Sequence, residues 1–486
     1  MKNTLLVPAV LLLVGVYAAA QADDKDSGND NSSTTLAPTN EICKKCDCDN
    51  GAVNCSSREI NTFFTKLDWE GLKDFKPLHV DLSGNPLRAV TSLVELPIET
   101  LNLSRCDIVT IEKASFQHLQ KMKTLDLSHN KLTVDKLNPH VFERMTVVEV
   151  HYALYRPLYQ ISHIYCNASV TPLESRVSMV AGDQLISGVS QGRYSPEEFE
   201  PLRSMRTLIL AYNDLHSLND DVFEHLPELT ELDLSGNPLK FIDHITLIAI
   251  ASLPMLKVLK LRDCELSEIP SMFLHSPRYL EYLDISSNRL SAVPLELEEA
   301  TNLVYLNINN NTIVKLEADS EDNPGFPVLP KLEELHMCNM PKLVEVGEGT
   351  LGGLQGLKRL HMGFNRALKT IHPKAMAAVD ENGEMYDWPH LTEDDSRGKV
   401  FRTVKRIPFQ LYLQWNNLSE IDSRLVSQWD HLKVIEVGDN PYLCDCSTQW
   451  MVDVLVPIVD ALKSNSSIHM MWYPTLTVTS IASYAR

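Results

Sequence analysis

The chain has 486 residues, with 44 Lys and Arg against 64 Asp and Glu, a net charge of -20 and 44% hydrophobic residues. So acidic a balance argues against nucleic acid and anionic membrane surfaces as partners, while keeping a large chain soluble and drawing basic ones. There is no H-E-x-x-H, no G-x-x-x-x-G-K-[ST] phosphate loop and no recognisable pair of carboxylates, and the chain is read as a binding protein rather than an enzyme, with no cofactor.

Residues 1–22 read as a secretory signal. Lys2 is the positive start, Leu5 to Val16 the apolar run, and Ala18-Ala19-Ala20 or Ala20-Gln21-Ala22 the small-residue cleavage site. Residues 23–41, rich in Asp, Asn, Ser and Thr, have little to bury and are expected to be a disordered leader. Residues 42–74 hold Cys43, Cys46, Cys48 and Cys55. In an exported chain this spacing favours a disulfide staple over a zinc site.

From 75 to 440 the sequence spells L-x-x-L-x-L-x-x-N-x-L thirteen times, as in Met122-Leu125-Leu127-Asn130-Leu132 and Leu280-Leu283-Ile285-Asn288-Leu290. The first apolar residues of the L-x-L cores are Val80, Leu101, Leu125, Val148, Leu208, Leu232, Leu259, Leu283, Leu306, Leu335, Leu360, Leu411 and Ile435. Ten of the twelve steps lie between 21 and 29 residues; the other two, of 60 and 51, contain interruptions at 151–200 and 376–406. Val177 and Met179 are a candidate strand in the first interruption, and the second offers none. Alternate leucines point inward, since side chains along a strand alternate faces. The Asn follows the strand, where its amide can pair buried backbone groups. Cys106 and Cys264 replace it in two copies and read as buried structural thiols. Phe116, Phe142, Phe199 and Phe223, each followed three residues later by Leu or Met, fill the core from the opposite side.

This motif and period resemble the leucine-rich repeat family. The resemblance implies an α/β solenoid: a curved horseshoe with a parallel sheet on its concave face and capped ends. The cysteines before the first repeat resemble the N-terminal cap of extracellular members, which implies Cys43–Cys48 and Cys46–Cys55. Residues 441–486 form a cap-like segment and tail. Asn440-Pro441-Tyr442-Leu443-Cys444-Asp445-Cys446, with Trp450, resembles the start of the family's C-terminal cap, but no cysteine follows Cys446. That cap is therefore degenerate, or Cys444 and Cys446 pair elsewhere. Cys166, Cys338 and intermolecular partners remain open. The copy LEELHMCNMPKL places Met340 where Asn is expected and resembles arthropod surface proteins of adhesion and Toll-like recognition.

The residues beside the inward leucines form the expected reading surface. They include the acidic or amide positions Asp81, Asp126, Glu149, Asp233, Asp284, Asn307 and Asn309, with His336 and His361 further along. The contact patch is expected at Tyr282, Tyr305, Phe364, Tyr412 and Trp415, because exposed aromatic residues in a row make binding hot spots. His336 and His361 occupy equivalent positions in neighbouring copies; without further ligands at fixed spacing they read as solvated or hydrogen-bonded rather than metal-binding. Sequons at Asn31, Asn54, Asn102, Asn167, Asn310, Asn417 and Asn465 are candidate glycan sites. Of these, Asn102 points out of the concave sheet. No second apolar run is long enough to cross a bilayer, so no transmembrane anchor is expected. The sequence thus predicts a secreted protein that binds an extracellular protein or glycan through its concave face, in adhesion, receptor-like or immune recognition. The alternative is a matrix component assembling through its ends or unpaired cysteines, and a homo- or hetero-oligomer stays open.

Overall fold

In a computed structural model, each repeat strand of the main sheet is very short, and some repeats add a second two-residue strand on their return segment, as Ala89–Val90 paired with Thr110–Ile111 and Glu345–Val346 paired with Thr370–Ile371. The described residues are 40–142, 204–320, 323–379, 385–386, 409–426, 429–443 and 445–465. The signal at 1–22, the leader up to residue 39, Val148, Glu149, Val177, Met179, Cys166, Phe199, Cys444, and the sequons at Asn31 and Asn167 lie outside them. Asn40 and Glu41, at the end of the span read as leader, already belong to the cap: Asn40 accepts from the Ile42 N–H at the start of α1 (Glu41–Lys45).

One sheet of fourteen strands runs the length of the solenoid. β1 (Asp47–Asp49) and β2 (Ala52–Asn54) are an antiparallel hairpin. Beyond it all pairing is parallel, through β3 (His79–Asp81), β4 (Thr100–Asn102), β5 (Thr124–Asp126), β6 (Thr207–Ile209) and β7 (Glu231–Asp233). It continues through β8 (Val258–Lys260), β9 (Tyr282–Asp284), β10 (Tyr305–Asn307), β11 (Glu334–His336), β12 (Arg359–His361), β13 (Phe409–Tyr412) and β14 (Leu432–Glu436). In the three-residue repeat strands the central residue is buried and its neighbours are mostly half-exposed, the alternation that leucine at every second position dictates.

The sheet corrects the repeat count. Leu125 pairs in register with Leu208, so β5 and β6 are direct neighbours and no strand from Val148 or Val177–Met179 stands between them. The Asn213 amide confirms the contact: it donates to the Leu127 carbonyl at 3.0 Å and accepts from the Leu132 N–H at 3.0 Å. Likewise Leu360 pairs with Leu411 across the second long step.

The asparagines stitch each turn to the one before it. Asn288 Nδ2 donates to the carbonyls of Leu261, Ile285 and Ser286, and Oδ1 accepts from the N–H groups of Cys264 and Leu266, all at 2.8–3.2 Å. Asn130 makes the same five bonds in its own repeat. Cys106 and Cys264 keep only the donor half: their Sγ–H groups reach Leu82 and Leu234 carbonyls at 3.2 and 3.4 Å. A thiol on this side offers no oxygen to the turn before it. That turn closes on itself instead, with Leu87 N–H on Asn85 O and Leu239 N–H on Asn237 O, both 2.8 Å, across Pro86 and Pro238. Burial pushes the two thiols up to about 11 and about 12.

Both ends are covered. The structure contains the disulfides Cys43–Cys48 and Cys46–Cys55, the pairing the family resemblance implies. α2 (Lys66–Glu70), held by a capping box between Thr65 and Asp68, buries Trp69. At the far end Trp450 packs on Trp429 and donates to the Ile421 carbonyl at 2.9 Å, and Met451, Leu455 and Val459 bury their side chains. Cys446 is exposed and Cys338 half-buried, and neither is in a disulfide among the described residues. Aromatic and aliphatic packing by Trp429, Trp450, Met451, Leu455 and Val459 closes the core at this end. On the convex side Phe116, Phe142 and Phe223 are fully buried, and Phe116 stacks on Phe142.

Asn288→Ala would orphan the Cys264 and Leu266 N–H groups in the interior, and is expected to cost roughly 2–6 kcal/mol, at about 1–3 kcal/mol for each of the two; denaturant melts check it. With iodoacetamide at pH 8, Cys446 is expected to be modified in the native chain. Cys106 and Cys264 should react only after unfolding, as peptide mass mapping would show.

Candidate functional site on the concave sheet

Each repeat strand sends its first and third residues to the concave surface, so two columns of side chains flank the buried leucines. In the first part of the solenoid the third-position column is mostly Asp or Asn, and it is structurally employed. Asp81, Asn102, Asp126, Asp233, Asp284 and Asn307 each accept the backbone N–H two residues on, at 2.9–3.1 Å. These six side chains of the expected reading surface thus also cap the turns that follow their strands. Asn309 does similar work, accepting from the Cys338 N–H at 2.5 Å.

From β11 onward this column changes chemistry, to His336, His361 and Tyr412. Adjacent strands lie about 4.8 Å apart, close to the stacking distance of aromatic rings, so in-register rings pile up. Tyr282 stacks on Tyr305 with centroids 4.2 Å apart. The stack steps diagonally from Tyr305 to His336 at 5.0 Å, then continues to His361 at 4.1 Å and to Tyr412 at 4.3 Å. Five rings form one unbroken ladder over β9–β13. Burial raises the Tyr282, Tyr305 and Tyr412 hydroxyls above their ordinary value, so all three stay protonated.

A carboxylate sits beside the ladder. Glu334 Oε1 is 2.7 Å from His336 Nε2 and 3.5 Å from His361 Nε2, while Oε2 accepts from the Arg359 guanidinium. Burial opposes its ionisation, yet the bonds from His336 and Arg359 hold the Glu334 carboxyl below its ordinary value. His361 is pushed down to about 4 by burial and then by His336, and is neutral at physiological pH. Its Nε2 is buried without a hydrogen-bond partner among the described residues. The sequence reading expected solvated or hydrogen-bonded histidines; His336 is hydrogen-bonded and His361 Nε2 is neither. It also missed Glu334 and Arg359. The signal was there in Glu334-Leu335-His336 and Arg359-Leu360-His361, where residues two apart share a face.

The other two expected aromatics form a separate stack. Phe364 and Trp415 lie 6.2 Å apart with nearly parallel rings, each 38% exposed. Both occupy the position before a ladder asparagine, with φ of 60° and 59°. That left-handed geometry suits Gly or Asn and is costly for a bulky ring, by about 1–3 kcal/mol. The same position carries a stacked pair the sequence reading overlooked, His129 and Tyr212, 4.5 Å apart. Gly236 is the next residue of that column, and a Cβ there would meet the Tyr212 ring at 2.3 Å. The five expected contact residues are thus divided between a ladder containing two histidines and an isolated pair.

Among the sequons, Asn54, Asn310 and Asn417 are exposed, Asn102 is half-buried on the concave face, and Asn465 ends α3 (Val456–Asn465). Among the described residues no helix is long and apolar enough to cross a membrane.

Removing the second ring of the ladder by Tyr305→Ala is expected to cost roughly 1–3 kcal/mol, from two contacts of about 0.5–1.5 kcal/mol each. It should also abolish the near-ultraviolet dichroism of the Tyr282–Tyr305 couple while leaving the far-ultraviolet spectrum unchanged.

A family profile described as leucine rich repeat matches residues 97–149 and 194–239. Podocan of Mus musculus is 27% identical over 299 residues, 59% of this chain and 44% of podocan. Osteomodulin of Rattus norvegicus is 26% identical over 226 residues, 45% of this chain and 49% of that protein. Chaoptin of Drosophila melanogaster is 31% identical over 179 residues, 33% of this chain and 13% of chaoptin. The matched stretch spans less than half the length of each of these relatives. Among solved structures, the Toll–Spatzle complex of Drosophila aligns at a TM-score of 0.45 and 19% identity, over 76% of this chain and 42% of that one.

Proposed function

We propose that this leucine-rich repeat protein, a member of the extracellular superfamily with a cysteine-capped N-terminus, is secreted and binds a protein partner through the β9–β13 part of its concave face. One observation carries the reading: at a left-handed turn position that other repeats fill with Asp263, Ser287, Asn310 or Asn339, this part of the face carries the bulky rings of Phe364 and Trp415, which remain 38% exposed. Strain retained at an exposed site argues for use. The adjoining ladder adds Tyr282, Tyr305 and Tyr412, residue types that dominate interface energetics.

A protein fits better than a glycan. Sugars stack on open ring faces, and the faces of Tyr305, His336 and His361 are covered by neighbouring rings. What this surface offers is ring edges, hydroxyls and the Glu334–Arg359 pair, suited to backbone and side-chain groups of a polypeptide. The net charge of -20 draws a basic partner. Adhesion, receptor-like and immune roles all share this mode of binding.

The second reading is assembly into a matrix, favoured by the exposed Cys446 thiol. Electrophoresis with and without reductant separates the two: a ladder of disulfide-linked oligomers supports assembly, and a monomer supports the soluble binder.

The test of the first reading is crosslinking capture from extracellular fluid of the source tissue, using the wild type and a Tyr305→Ala, Trp415→Asn double variant. Asn accepts the left-handed backbone, so the second change spares the turn. Loss of roughly tenfold or more in capture is expected, since hot-spot truncations cost about 2 kcal/mol or more. Equal capture by both proteins would move the interface elsewhere.

A further inference from the structure

We propose that Glu334, His336 and His361 together bind one divalent transition-metal ion of the zinc class on the concave face. The sequence reading set a metal aside because two histidines alone are too few; the fold supplies the third ligand. One donor atom from each of the three residues lies within 4.8 Å of the others. Glu334 Oε1 already approaches both imidazole Nε2 atoms, at 2.7 and 3.5 Å. Two imidazole nitrogens and one carboxylate oxygen are a known zinc donor set, whereas calcium and magnesium prefer oxygen alone.

Three features prepare the cluster. The side chains of all three residues are 17–23% exposed, so little water must be displaced. His361 carries a buried Nε2 with no hydrogen-bond partner among the described residues. Arg359 holds the other Glu334 oxygen and so turns Oε1 toward the imidazoles, as outer hydrogen bonds orient metal-ligating carboxylates. Its positive charge is the opposing force, and Glu334 neutralises it through Oε2.

Binding requires one movement. The imidazoles stack at 4.1 Å with planes 7° apart, so their lone pairs lie in nearly parallel planes and cannot both point at one ion. Zinc–nitrogen bonds of about 2.0–2.1 Å in a tetrahedron place the two nitrogens about 3.3 Å apart with both lone pairs aimed at the ion. The rings must turn about their Cβ–Cγ bonds until the lone pairs converge, which breaks the His336–His361 stack between Tyr305 and Tyr412. A remaining coordination position then faces the concavity, open to water or a ligand.

The experiment uses the purified, untagged chain, stripped with EDTA and titrated with zinc chloride against a chromophoric chelator. One tight equivalent is expected, weakened at least tenfold in Glu334→Gln and in His361→Gln, and unchanged in His129→Ala. Cobalt(II) in the wild type should give the intense visible absorption of a tetrahedral site, absent from both variants. Far-ultraviolet dichroism confirms that the variants are folded; Glu334→Gln and His361→Gln are two independent substitutions, so one misfolded variant leaves the other to decide. Failure of the wild type to take up zinc or cobalt, or equal uptake by a folded Glu334→Gln or His361→Gln chain, overturns the proposal. No partner enters the titration, so its result stands apart from the partner-binding reading.

Discussion

The amide of the ladder asparagine is the interaction on which the rest of the structure depends. A three-residue strand cannot bring the chain round a turn of some two dozen residues by itself. Asn288, and Asn130 in its own repeat, bond backward to the previous repeat and forward within their own, satisfying five buried backbone groups with one side chain. Because both amide atoms are used, each repeat is held in register with its neighbour. Where Cys106 or Cys264 breaks this reciprocity, the turn before it carries Asn-Pro-Leu and closes locally. Asn440-Pro441-Tyr442 repeats the device at the last turn, with Tyr442 N–H on Asn440 O.

Register at the ladder sets what the concave face can be. Once strands stand in register at their fixed spacing, equivalent residues become neighbours separated by roughly a ring thickness. Runs of Asp and Asn then cap the turns beneath them, and runs of Tyr and His become a stack. The partner surface proposed here and the candidate metal site both arise from that spacing. Glu334 belongs to both, through its contacts with two stacked imidazoles and with Arg359.

Much of the fold was legible because its signals are local and repeated. Leu at alternate positions, Asn after the strand and Phe on the return segment report burial directly. The first long step was harder. Val148 has the local look of a strand, and only the direct pairing of Leu125 with Leu208 reveals that the sheet passes it by. The far end was read through its missing cysteines, while the closure comes from Trp429 and Trp450, which no cysteine count reports. On the concave face the aromatic positions could be listed, but their division into a ladder and a pair depends on a diagonal step between Tyr305 and His336.

By itself the sequence determined the repeat, the direction in which each leucine points and the chemistry of each exposed column, since these depend on residue type and period alone. Only the tertiary structure decided which repeats touch across the long steps, that Asp81 and its equivalents each accept a backbone N–H of the following turn, and that Glu334 meets two histidines from adjacent strands. Those are distances between side chains on different turns, and they exist only after the backbone has been stacked.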